Sequence, residues 1–198
     1  MSDSNRTRKI VITAVMAAVS VVLGATRLGF IPWISGASLT IMHVPVIIGA
    51  ILEGPVVGMI IGLIFGIFSL IQAAVSPTGP VDVFFVNPLI SVLPRILIGL
   101  TSFLVFKAFR GKFLSISIVL ASLMGSLTNT LLVLGALGIA GALPWELIGA
   151  IVLANGLAEA AAAALICSAV ILTWKSVDHQ GKRSQLEDLK EDHDVAGR

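Results

Sequence analysis

The chain has 198 residues, 57% of them hydrophobic and 12% charged, with a formal net charge of +2 and a mean hydropathy of +1.03. A soluble domain of this length would carry about 25% charged residues, and successive apolar runs leave no room here for a soluble catalytic domain. The single cysteine, Cys167, excludes an internal disulfide and a cysteine-based metal cluster.

The first apolar run is Ile10 to Thr26, closed by Arg27. It follows a polar N-terminus as a signal peptide would, but no A-x-A-like cleavage site is evident and further runs follow. A loop with Gly29, Pro32, Trp33, Ser35 and Gly36 leads to a second, short run, Leu39 to Leu52, closed by Glu53-Gly54-Pro55. The third run is Val56 to Val75, followed by the turn formers Ser76 to Asp82. The fourth is Phe84 to Phe106, interrupted by Arg95, with a basic connection Lys107 to Lys112. The fifth is Phe113 to Ile139, then a turn at Gly141 to Pro144. The sixth is Trp145 to Trp174, and a charged tail, Lys175 to Arg198, completes the chain.

A bilayer core needs roughly 20 apolar residues per helix, and the runs show no alternation of period two, so helices are favoured over barrel strands. The expected fold is all-α: a polytopic membrane protein with about six transmembrane helices over residues 1–174, and a tail over 175–198 expected to be disordered beyond its first turn. No internal repeat is evident. Eleven of the thirteen basic residues lie at the N-terminus, in the 107–112 connection and in the tail; the exceptions are Arg27 and Arg95. By the positive-inside rule both termini are cytoplasmic, in a multi-pass cell-membrane protein.

Polar groups inside a membrane are costly and mark function or packing. Pro94 lacks the N–H that would bond the carbonyl of Ile90, so a kink is expected beside Arg95. Arg95 lies roughly 12 Å below the outer end of its helix, where its planar fork could hold an anionic substrate; the alternative is pairing with Glu159. Asn155 and Glu159 are four apart and share a helix face. With Asn129 they reach estimated depths of roughly 14–20 Å from the outside. Together these residues point to one outward-facing polar pocket; interhelical hydrogen bonding is the alternative. His43, near the outer end of the second run, is a further candidate ligand residue or else a packing residue. Trp33 and Trp145 suit the aromatic belt, with Trp33 placed to cover a pocket. Asp82 and Asn87 flank the mouth. Gly54, Gly58, Gly62 and Gly66 repeat every four residues and predict close packing of the third helix. Ala14 and Ala18 share one face of the first helix, where a partner subunit could dock.

There is no phosphate-binding loop, since Gly111-Lys112 is followed by Phe113, and no H-E-x-x-H or G-x-S-x-G. No catalytic residue and no metal site is therefore expected, and a membrane enzyme is disfavoured. The basic residues follow the membrane rule, so nucleic-acid binding has no support. A standalone channel or secondary transporter remains compatible with these residues.

The stretch from Thr40 through His43, Pro45, Gly49 and Glu53 to Pro55 resembles the second-helix region of S components. These are the substrate-binding membrane subunits of energy-coupling factor (ECF) vitamin transporters. Asn87-Pro88 through Ser91, Pro94 and Arg95 to Gly99 resembles the fourth helix of the pantothenate-type branch, and Gly125 to Thr130 its fifth. Ala14-x-x-x-Ala18 matches the family's A-x-x-x-A signature. The similarity covers roughly residues 8–174. The resemblance implies a subunit without its own ATPase or cofactor. It would bind a vitamin from outside, beneath the first and third outer loops. It would dock through Ala14 and Ala18 onto a transmembrane coupling subunit with two ATPases that use ATP, and topple to carry the pocket inward. Pantothenate is the first expectation and cobalamin the second, ahead of folate, riboflavin or a pyridoxine-like compound. Arg95 would then hold a carboxylate, with Asn129, Asn155 and Glu159 on hydroxyl and amide groups and Trp33, His43 and Asn87 as further contacts.

Overall fold

The computed structural model describes residues 3–32, 38–77, 79–111 and 113–196, with side chains over 5–29, 40–77, 79–111 and 113–177. Trp33 lies outside the described residues. The fold is all-α apart from one short antiparallel pair. In chain order the elements are α1 (Asp3–Ala25), β1 (Phe30–Pro32), β2 (Ser38–Thr40), α2 (Val44–Glu53), α3 (Pro55–Val75), a 3₁₀ turn (Asp82–Val86), α4 (Pro88–Ser91), α5 (Leu93–Phe109), α6 (Leu114–Ile139), α7 (Trp145–Ile151), a π-helical turn (Val152–Gly156) and α8 (Leu157–Ala196).

Five segments among the described residues are long and apolar enough to cross a bilayer: Asn5–Ala25, Pro55–Val75, Pro88–Phe109, Leu114–Ile139 and Trp145–Val177. The second apolar run, expected as a span from Leu39, instead gives a helix of only 10 residues, α2. Its first residues are drawn into β2, and Pro45 sits in the first helical turn, where its missing N–H costs nothing. At 1.5 Å per residue α2 is about 15 Å long, half a bilayer core. Its surroundings permit this. Val46, Ile47 and Ala50 are fully buried, and α2 packs against α1, α3, α5, α6 and α8. A helix enclosed by protein need not match the thickness of lipid. The surrounding helices instead turn Ile10, Val15, Ile60, Ile67, Leu104 and Leu165 outward, as helices solvated by acyl chains do.

Gly54 joins α2 directly to α3 at φ 104°, a conformation that side-chain-bearing residues rarely adopt. The rest of the glycine stripe packs against α5 and the segment leading into it. A Cβ at Gly62 would strike the carbonyl of Arg95, one at Gly66 would lie 2.7 Å from Val92 Cα, and Gly58 backs onto Gly99. The two backbones therefore touch along three turns, and this contact holds the kinked region around Arg95 in place.

The α8 backbone continues to Ala196. No helix end marks residue 175. Segment 175–198 contains no proline that would break the helix.

Candidate functional site

The loops at one end of the bundle converge on a cavity of about 650 Å³, within the range of small-molecule sites. Its walls come from the first loop (Arg27, Thr40, Met42), the C-terminal third of α3 (Ser69, Gln72), the third loop (Val81, Asp82, Phe85), α6 (Asn129, Thr130) and the α7–α8 helix (Asn155, Glu159), with Arg95 in its lining. The four costly polar residues singled out in the sequence, Arg95, Asn129, Asn155 and Glu159, thus line one space.

The local chemistry around Arg95 follows from Pro94. The helix breaks at Val92 between α4 and α5, and Pro94 cannot donate to Ile90. The vacant Ile90 carbonyl accepts instead from Arg95 Nη1, at 2.7 Å. That bond bends the guanidinium back alongside the kink. Phe65 of α3 and Phe85 of the 3₁₀ turn lie on it, with ring centroids 5.4 and 5.3 Å from Cζ, both within cation–π range. Arg95 is 6% exposed, and its Nε has no hydrogen-bond partner. No ion pair joins Arg95 to Glu159 among the described residues, where Arg8 Nε pairs with Glu53 Oε1 at 2.8 Å. A buried, pre-oriented cation with spare donors and no carboxylate is arranged to receive an anion.

Asn129 is buried, and its Oδ1 has no hydrogen-bond partner. A buried amide oxygen in this state has acceptor capacity for a ligand hydroxyl or N–H. Asn155 is 3% exposed and lies in the π-helical turn between α7 and α8. Such turns widen a helix locally and recur at functional sites. Glu159 accepts from the backbone N–H of Thr40 at 2.7 Å through Oε1 and from Thr130 Oγ1 at 3.1 Å through Oε2. Both of its oxygens therefore already have protein partners.

Two other sequence candidates lie elsewhere. His43 is fully buried at the N-terminus of α2, with neither ring nitrogen hydrogen-bonded, and is not among the cavity-lining residues. Asn87 is exposed and caps α4, its Oδ1 accepting from Leu89 N at 3.0 Å. Asp82 does line the mouth, where Oδ2 accepts from Gly79 N at 3.1 Å. Sequence reasoning missed Phe65 and Phe85 because aromatic residues are ordinary in apolar helices and loops. Ser69, Gln72 and Ser76 carried a usable signal: polar residues at helical spacing near the C-terminal end of an apolar helix. Arg27, read only as the end of a span, has φ 58° and borders the cavity; strained backbone of this kind clusters at ligand sites.

The model of one protein family, described as "ECF transporter, substrate-specific component", matches residues 8–171. The chain belongs to this family. It is thus a multi-pass membrane transport subunit that binds substrate, and not an enzyme. The pantothenic acid transporter PanT of Lactococcus lactis subsp. cremoris (strain MG1363) is 31% identical to it over 181 residues, covering 82% of this chain and 91% of the relative. The pantothenate transporter PanT of Leuconostoc mesenteroides subsp. mesenteroides (strain ATCC 8293) is 37% identical over 115 residues, 56% of either chain. The family match spans α1 through most of the membrane part of α8, so it includes every residue of the cavity.

Proposed function

We propose that this chain captures pantothenate from outside the cell for import by an ECF transporter. The observation that carries this reading is Arg95, a buried guanidinium at the cavity without a carboxylate partner among the described residues. Pantothenate offers a carboxylate to that cation, and hydroxyl and amide groups to Asn129 and Asn155. The names of the two relatives support the same choice. The chain crosses the membrane six times in this reading, with α2 as the short, enclosed crossing and both termini in the cytoplasm. The basic residues support this orientation, which opens the cavity to the exterior. The charged segment 175–198 forms a cytoplasmic appendage to the membrane domain.

Purified protein will bind pantothenate at a single saturable site, and excess cobalamin, folate, riboflavin or pyridoxine will not displace it in equilibrium dialysis. Saturable binding of one of them, with no binding of pantothenate, reassigns the substrate.

The ATPases belong to partner subunits in this proposal, joined to the chain by a transmembrane coupling subunit. Ala14 and Ala18 are exposed on α1, beside the exposed Val11, Val15 and Val22. This face of small and branched residues can receive another helix closely. Ala14→Leu with Ala18→Leu will leave pantothenate binding by the isolated subunit unchanged. ATP-dependent uptake into vesicles carrying the complete transporter will fall at least about tenfold, as expected for about 1.4 kcal/mol of lost docking energy. Loss of binding by the isolated subunit would place these residues in the fold or the cavity instead.

A further inference from the structure

We infer that Glu159 is a latch: it ties the first loop to the opposite wall of the cavity, and through that tie it sets how fast substrate enters and leaves. This rests on reading the cavity as the substrate site.

The hairpin geometry makes the tie specific. β1 and β2 pair antiparallel with Phe30 opposite Thr40 and Ile31 opposite Leu39. The N–H of Ile41 donates to the carbonyl of Gly29 across the hairpin, at 3.0 Å. Successive N–H groups along a strand point to opposite sides, so the N–H of Thr40 faces away from β1. It is an edge donor with no strand to receive it. Glu159, on α8, supplies the acceptor at 2.7 Å. The other carboxylate oxygen accepts from Thr130 on α6, whose hydroxyl also reaches the carbonyl of Ser126 at 3.2 Å.

Two other anchors of this loop among the described residues lie on its own side. Ser20 Oγ donates to the carbonyl of Met42 at 3.3 Å, and Gly29 N to the carbonyl of Leu23 at 2.8 Å, both within the α1 and first-loop unit. Glu159 therefore links β2 to the α6–α8 wall through its side chain. Glu159, Thr40 and Thr130 all line the cavity. Glu159 is 5% exposed, and both its oxygens are engaged. Without the Glu159 carboxylate the Thr40 N–H would be left as an orphan donor.

Two measurements separate a latch from a ligand contact. The first uses the ligand-free protein in nanodiscs and follows backbone amide hydrogen exchange in peptides spanning residues 38–42. Glu159→Ala will speed exchange of the Thr40 amide about tenfold, the scale of one lost charge-assisted hydrogen bond. Glu159→Gln keeps the carbonyl acceptor and will leave exchange within about threefold of wild type. Thr40→Pro removes the same donor from the other side. An outward-facing edge N–H is where a strand tolerates proline, so the hairpin is retained.

The second measurement follows association and dissociation of radiolabelled pantothenate. Glu159→Ala and Thr40→Pro will each raise both rate constants, so that Kd changes less than koff does. The double variant will be no faster than either single one, because the two substitutions break the same tie. Unchanged Thr40 exchange in Glu159→Ala overturns the latch. So does a faster koff at constant kon with Glu159→Gln as damaging as Ala, the signature of a direct contact. Failure of wild-type protein to bind pantothenate would overturn the substrate assignment alone, because the exchange result needs no ligand.

Discussion

Arg95→Ala will weaken pantothenate binding by about 100-fold or more, measured by isothermal titration of the purified subunit. Removing one partner of a buried, hydrogen-bonded charge pair costs about 3–5 kcal/mol, because the remaining charge is left in a site built to exclude water. The variant also loses the bond from Nη1 to the Ile90 carbonyl and the two phenyl contacts, so it needs a control for local damage. The alcohol analogue of pantothenate, with a hydroxymethyl group in place of the carboxylate, provides it. Wild-type protein will discriminate strongly against the analogue, and Arg95→Ala will bind the two molecules about equally. Specificity of this kind is a difference of affinities, and a general loss of cavity shape would weaken both ligands together while leaving their ratio intact. Arg95→Lys will recover only part of the affinity, since an ammonium lacks the planar fork and cannot reach Ile90 in the same way. If Arg95→Ala binds pantothenate as wild type does, the guanidinium is structural and the carboxylate lies elsewhere.

Much of this site was legible in the sequence because the bilayer makes polar groups expensive. Arg95, Asn129, Asn155 and Glu159 stood out in runs otherwise made of aliphatic residues, and helical rise alone placed them at similar depth. The vacant carbonyl of Ile90 was equally legible, since it follows from proline chemistry. What fills it was not: the side chain of Arg95 closes the gap left by its own neighbour. Pairings between distant segments were also beyond reach. Glu159 meets Thr40 across 119 positions, and nothing local in either segment encodes that choice. The same holds for Phe65 and Phe85, which reach Arg95 only because α3 and the third loop fold over it. The short α2 shows a different limit. Apolar length predicts a span for a helix facing lipid, whereas a helix enclosed by five others is released from that constraint.

The glycine stripe links the fold to the site, and the second large effect is expected there. Gly62→Ala will lower the thermal unfolding midpoint by about 5–10 °C, from an overpacking cost of about 1–3 kcal/mol, and will also weaken pantothenate binding. The new methyl group meets backbone, not a flexible side chain: the carbonyl of Arg95 itself, its carbon at 2.7 Å and Ile96 Cα at 3.2 Å. Neither α3 nor α5 can yield without moving the residue that carries the cation. Gly99→Ala is the informative comparison. Its Cβ would meet the opposing backbone at Met59 N, 2.6 Å away, one turn further from the cavity than Arg95. It will destabilise the subunit to a similar degree but cost less affinity. Gly135→Ala and Gly149→Ala, where a Cβ meets nothing within 4 Å, will leave both properties near wild type, or slightly stabilise their helices. Equal loss of affinity in Gly62→Ala and Gly99→Ala would mean that binding follows overall stability. A loss confined to Gly62→Ala would show that the close approach of α3 to α5 exists to hold Arg95 at the depth where an incoming anion meets it.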